Sequence, residues 1–148
     1  MITVRDLASS KIVLRNMAQT NWISDIETAI LMVDDDEANR DMVSTILDLC
    51  GYTSRQASDG IEALRILADH PVDVILLDIM MPDMDGYEFC RKLKGSNNLG
   101  HIPIIMLTAL TDAASREKAL EAGADDFLSK PFKIDDLVSR VESLVKMK

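Results

Sequence analysis

The sequence predicts an α/β domain, a five-stranded parallel sheet doubly wound by helices in a (βα)5 arrangement, and three observations carry that prediction. From Ala29 onward, short β-type runs alternate five times with helix-length patterns. Those runs are nearly continuous in Val, Ile and Leu, as in strands buried on both faces, and helix-length crossovers join strands that pair in parallel. The length, 148 residues, suits one domain with a single core and leaves no room for two.

The strand-like runs are Ala29 to Val33, Tyr52 to Ala57 (the weakest), Val72 to Leu77, Ile102 to Leu107 and Asp125 to Leu128. Between them, Asp59 with Glu62 and Asp85 with Glu88 are spaced as capping boxes that satisfy orphan N–H groups at a helix start. Gly51, Gly95 and Gly123 stand where helices should stop. Ile134, Leu137, Val138, Val141, Leu144 and Val145 form one apolar stripe at helical period, which should pack on a sheet. Right-handed crossovers leave few strand orders, and in the common ones a ligand site lies beyond the carboxyl ends of the strands.

Residues 1–28 are an N-terminal extension of a different kind, with three acids balanced by three bases and 13 of 28 residues apolar. Leu7, Leu14, Met17 and Trp22 mark one side of a helix over about two heptads. A docked or dimerising helix and a frayed extension both fit that pattern.

With 47% hydrophobic and 28% charged residues, the chain is neither disordered, collagen-like nor disulfide-stapled. Its net charge of −9, from 25 acids and 16 bases, argues against a mainly electrostatic grip on nucleic acid or anionic lipid. The whole excess, 22 acids against 13 bases, lies in residues 29–148. Cys50 and Cys90 match no metal or redox spacing and read as reduced, buried thiols. No apolar stretch approaches the roughly 18 residues of a membrane span, and the N-terminus lacks the apolar core of a secretory signal. A cytoplasmic location is expected.

Chemistry gathers where the strands end. Asp34, Asp35, Asp36 and Glu37 follow the first run, and Asp78 follows the third. Like charges brought to about 4 Å repel by on the order of 4 kcal/mol at an effective dielectric near 20, so such a cluster calls for a cation or raised pKa values. A few carboxylates with retained water suit Mg²⁺ better than an all-protein Ca²⁺ cage. Asp36 and Glu37 are at least as well explained as caps of the following helix. Thr108 ends the fourth run, and Ser129, Lys130 and Pro131 end the fifth. Acid, acid, hydroxyl and ammonium together suit phosphoryl transfer, in which a carboxylate can be the nucleophile. His70 and His101 lie at strand entrances, away from the carboxylates. The nine Met residues read as scattered core filler.

Four ordered motifs, Ile30-Leu-Met-Val-Asp-Asp-Asp36, Leu76-Leu-Asp-Ile-Met-Met-Pro-Asp-Met-Asp-Gly86, Ile104-Ile-Met-Leu-Thr-Ala109 and Gly123-Ala-Asp-Asp-Phe-Leu-Ser-Lys-Pro-Phe132, resemble the receiver domain of two-component response regulators. The resemblance covers residues 29–148, and it implies the flavodoxin-like strand order 2-1-3-4-5 of the chemotaxis response regulator. It implies that Asp78 accepts a phosphoryl group from a histidine kinase or histidine phosphotransfer protein. It further implies Mg²⁺ held by Asp35, Asp78 and the Met80 carbonyl, with Asp34 acting through water, and Thr108 and Lys130 on the phosphoryl oxygens. The Lys130–Pro131 bond is expected to be cis.

The same resemblance supplies a switch, in which Thr108 moves inward on phosphorylation and the aromatic residue of the fifth strand, Phe127, turns toward the core. The family more often has Tyr there, and a plain core aromatic also fits Phe127. Met80 and Leu110 occupy the positions that line the path of hydrolytic water, and both are apolar, so slow self-dephosphorylation is expected. Beyond that transfer and slow loss, no enzymatic turnover is expected. The chain stops after the fifth helix, which points to output by protein contact through the face of helix four, strand five and helix five, without direct nucleic-acid or membrane binding. Residues 1–28 leave two partners open, a second copy of the chain in a homodimer or an upstream protein. A haloacid-dehalogenase-type phosphatase would lack its downstream acidic pair and cap here, and a flavin carrier would find its phosphate repelled by Asp34 to Glu37.

Overall fold

The computed structural model describes residues 4–14, 28–81, 84–109 and 113–146. Five strands, β1 (Ala29–Val33), β2 (Thr53–Ala57), β3 (Val74–Asp78), β4 (Ile104–Thr108) and β5 (Asp126–Ser129), form one sheet. All pairings are parallel and the order is β2-β1-β3-β4-β5. The crossovers are α1 (Glu37–Leu49), α2 (Gly60–Asp69), α3 (Gly86–Lys94) and α4 (Ala113–Glu121), and α5 (Ile134–Lys146) follows β5. Ahead of α3, Met80–Met81 pairs antiparallel with Met84–Asp85.

Side chains alternate along each strand between two core layers. Leu31, Val33, Ile75, Leu77, Ile104 and Met106 face α2, α3 and α4. Ile30, Met32, Val74, Leu76, Ile105 and Leu107 face α1 and α5. The apolar stripe of α5 is buried as its period requires, at Ile134, Leu137, Val138, Val141 and Leu144.

Four strands, β2 to β5, begin one or two residues later than the apolar runs, and for β3, β4 and β5 the reason is identifiable. The Asp73 carboxylate takes the Ala29 N–H at 2.8 Å and the Asp125 carboxylate takes the Ile104 N–H at 2.9 Å, so side chains occupy the first rungs of those ladders. At the other end β3, β4 and β5 run one residue further, because Asp78 pairs with Leu107 and Thr108 with Ser129. The strand ends therefore include the chemically distinctive residues.

The capping residues act as their spacing predicts, with two changes. Asp59 accepts from the Glu62 N–H at 2.8 Å, but Glu62 reaches back to the Ser58 N–H at 3.2 Å. Asp85 caps the Tyr87 N–H at 2.8 Å, while Glu88 pairs with Lys92 at 3.6 Å. Asp36 caps α1 through the Ala38 N–H at 2.9 Å. Helices α1 and α4 end at left-handed glycines, φ 89° at Gly51 and 100° at Gly123, whereas Gly95 ends α3 in a right-handed conformation.

The described part of the N-terminal extension, a helix over Val4–Ser9 followed by a helical turn at residues 11–14, lies against the α1 and α5 layer. Val13 is fully buried there and Leu7 packs beside it, while Leu14 is exposed. Met17 and Trp22 fall outside the described residues. Cys50 and Cys90 are both buried, and neither is in a disulfide. No helix among the described residues is long and apolar enough to cross a membrane.

Candidate functional site

At the carboxyl edge of the sheet, the ends of β1 and β3 and the loop after β5 bring four polar side chains together, Asp34, Asp35, Asp78 and Lys130. Asp34 directly follows β1 and is fully buried. Its N–H donates to the Ala57 carbonyl at 3.1 Å and its Oδ1 accepts the Asp36 N–H at 2.9 Å. Its carbonyl accepts from Arg40 at 2.7 Å. Asp78, the last residue of β3, is buried and accepts the Met80 N–H at 3.2 Å. Asp35 is exposed at the rim.

One ligand oxygen from each of Asp34, Asp35 and Asp78 lies within 4.8 Å of the others. Among the described residues a single ammonium answers them: Lys130 Nζ is 3.2 Å from Asp34 and 3.7 Å from Asp78. Burial pushes the Asp78 carboxyl up to about 6, opposed by Lys130 and reinforced by the Asp34 charge, with the Met80 N–H pulling back down. Three acidic oxygens against one ammonium make a hard-donor set short of positive charge, which fits a divalent cation.

Thr108 closes β4 and is fully buried, and its carbonyl accepts the Lys130 N–H at 2.7 Å. The Lys130–Pro131 peptide is cis. Phe127 sits in the core at 6% exposure, packed with the α2–α4 layer. Met80 is 62% exposed and borders an open cleft of about 970 Å³ that also touches Asp35. Leu110 falls outside the described residues. Asp36 and Glu37 stay out of the cluster, Asp36 as the α1 cap. His70 and His101 are both exposed, at the turns that lead into β3 and β4.

This geometry matches known proteins. The family model described as the response regulator receiver domain fits residues 30–142. The chain belongs to the response regulator receiver family. Response regulator MprA of Mycobacterium tuberculosis is 43% identical over 117 residues, 79% of this chain and 50% of MprA. The DNA-binding dual master transcriptional regulator RpaA of Synechocystis is 38% identical over 117 residues, covering 79% of this chain and 48% of RpaA. The chain thus spans about half the length of these curated relatives. Among solved structures, the chemotaxis protein CheY4 of Vibrio cholerae aligns with a TM-score of 0.76 and 34% identity, over 80% of this chain and 99% of that one. The receiver fold and its role in two-component signalling are those of this chain.

Sequence reasoning gave no role to Arg40, and named Gly86 only as the last residue of the second motif. Arg40 sits one turn into α1 and ties the Asp34 carbonyl to the Gln56 side chain, at 2.7 and 3.2 Å. Gly86 opens α3 against the loop that follows β3, where an added Cβ would lie 2.6 Å from Ile79 Cα and 2.9 Å from the Asp78 carbonyl oxygen. Its place after Asp85, a cap, was the available signal; the close approach of two backbones is a tertiary fact.

Proposed function

We propose that this receiver is the phospho-acceptor of a two-component phosphorelay. The observation that carries the reading is the convergence of Asp34, Asp35 and Asp78 on Lys130 at the end of the sheet where Thr108 also ends its strand. An Asp78 oxygen attacks phosphorus, the P–N bond to a phosphohistidine protonated on its other ring nitrogen breaks, and the leaving nitrogen keeps the electron pair, so that neutral imidazole departs. With a pKa of about 6, Asp78 is mostly ionised at neutral pH and available as the nucleophile.

Asp35, Asp78 and the Met80 carbonyl would hold Mg²⁺, with Asp34 acting through water. When bound, the ion would offset the negative charge of the carboxylates and of an incoming phosphoryl group. Lys130 and Thr108 complete the neutralisation from this chain's own groups. Phosphorylation adds about −1.5 to −2 charges at Asp78, drawing Thr108 inward and changing the room available to Phe127. The changed surface is the one formed by α4, β5 and α5, where Leu120 is 55% exposed and Arg116 and Arg140 flank the apolar ground. A downstream protein is the fitting target of this acidic chain, and the donor is a histidine kinase or phosphotransfer protein.

The chain acts as a carrier and not a turnover enzyme. Met80 offers no hydrogen-bonding group to orient an attacking water, and the same holds for the residue type at Leu110, so the phosphoryl group should persist for minutes or longer. The test is incubation with acetyl phosphate and Mg²⁺ followed by intact-mass analysis. One phosphoryl adduct is expected, absent in Asp78→Ala and absent after metal chelation. An adduct that survives Asp78→Ala would refute the assignment.

A further inference from the structure

Residues 4–14 stand outside the five βα units, yet they are built into the wall beside the acidic site. Val13 is fully buried in the same cluster as Ile134, at the start of α5, and Leu7, Ile12 and Phe132 pack against that cluster. The buried Ser10 hydroxyl donates to the Asp135 carboxylate in the first turn of α5, and accepts the Val13 N–H at 3.1 Å. A single hydroxyl therefore orders the turn of the extension and ties it to α5. Pro131, Phe132 and Lys133 share a cavity of about 390 Å³ with Asp6, Ser9 and Ser10.

These residues belong to the loop that presents Lys130. At its near end the Lys130 N–H is held by the Thr108 carbonyl at 2.7 Å, and at its far end Asp135 is held by Ser10. Between the two anchors the chain advances only five positions. We infer that Ser10 and Val13 are positioning residues: by anchoring the far end of this loop, the N-terminal segment fixes Lys130 against Asp34 and Asp78 and so sets how tightly the site holds a phosphoryl group. The inference rests on the reading of Asp78 as acceptor.

The physical basis is preorganisation. An ammonium on a flexible stem binds an anion more tightly when its backbone is already ordered, because less freedom is lost on binding. Coupling of this kind is reciprocal: whatever factor the anchored helix adds to phosphoryl affinity, an occupied site adds to the anchoring of the helix. A contact that only stabilised the fold would carry no such reciprocity.

The test uses the full chain, beryllium fluoride with Mg²⁺ as phosphoryl mimic, titration calorimetry for affinity, and amide hydrogen exchange across residues 5–14. Ser10→Ala should weaken beryllium fluoride binding by about threefold or more, the lower range of measured couplings, and Ser10→Thr should restore it. In the wild-type chain, exchange at residues 5–14 should slow on addition of beryllium fluoride and Mg²⁺. Binding by Ser10→Ala within twofold of wild type, or exchange that ignores the mimic, overturns the inference. If Ser10→Ala does not fold, the wild-type exchange comparison decides alone. A wild-type chain that does not bind the mimic refutes the acceptor reading, and this inference with it, whereas wild-type binding with unresponsive exchange refutes this inference only.

Discussion

Replacing Asp78 with Asn should stabilise the metal-free receiver at neutral pH, and the size of the effect follows from the site. Asp78 is 6% exposed and its pKa rises from the ordinary 3.8 to about 6, chiefly through burial. A raised carboxylate pKa means that the folded state binds its proton more tightly than the unfolded chain does. Stability therefore falls as pH rises through the window from about 4 to 6, and the loss is complete above it. At roughly 1.4 kcal/mol per pH unit, the charged form costs about 3 kcal/mol near pH 7.5. Asn keeps an oxygen for the Met80 N–H and removes the charge. Urea denaturation at pH 7.5 should show Asp78→Asn more stable by up to about 3 kcal/mol, with the gap closing toward pH 4. Mg²⁺ should narrow the gap at pH 7.5 by stabilising wild type alone. A variant no more stable than wild type at pH 7.5, or a gap independent of pH between 4 and 7.5, would refute the argument that Asp78 is electrostatically strained.

Lys130→Met should raise the Asp78 pKa above about 6, because it removes the cation that lies 3.7 Å from the carboxylate and lowers its pKa; carbon-detected NMR titration of the carboxyl reads this directly, and the phosphoryl adduct from acetyl phosphate should fall in parallel. Gly86→Ala should destabilise the fold by about 1–3 kcal/mol, the usual range for overpacking, because its Cβ meets the Ile79 backbone at 2.6 Å. Thermal denaturation measures that loss. Asp59→Ala should cost about 1 kcal/mol of stability through loss of the α2 cap, with phosphoryl acceptance unchanged.

Much of this was legible because burial writes itself into sequence. Ala29 to Val33 and Val74 to Leu77 are covered on both faces, so every residue there is apolar, and alternation of such runs with helices admits few topologies. The acidic cluster was legible because its residues directly follow strands, and in a parallel sheet all those ends lie on one edge. The exact strand limits were not, because Asp73 and Asp125 donate no pattern of their own: their carboxylates substitute for ladder partners on neighbouring strands. Arg40 escaped notice for a similar reason, since a cation on a helix surface is ordinary until the Asp34 carbonyl is found 2.7 Å away. The anchoring of Val13 and Ser10 depends on contacts more than a hundred residues distant, which no local period encodes.

The register of the buried ladder is what turns packing into chemistry. Asp78 pairs with Leu107 and Thr108 with Ser129, so Asp78 and Thr108 stand one step apart on neighbouring strands, and the Lys130 N–H is bonded to the Thr108 carbonyl. A slip of one residue would move a strand by about 3.3 Å and turn every side chain to the opposite face. On β3 such a slip would exchange Leu76, which faces α1 and α5, with Leu77, which faces α2 to α4. Both layers are filled by fully buried Ile and Leu side chains, so neither accepts that exchange without cavities and clashes. The same apolar runs that make the fold recognisable therefore hold the carboxylates, the hydroxyl strand end and the lysine loop in register with one another. The repulsion between Asp34 and Asp78 is tolerated because the ladder beneath them does not yield.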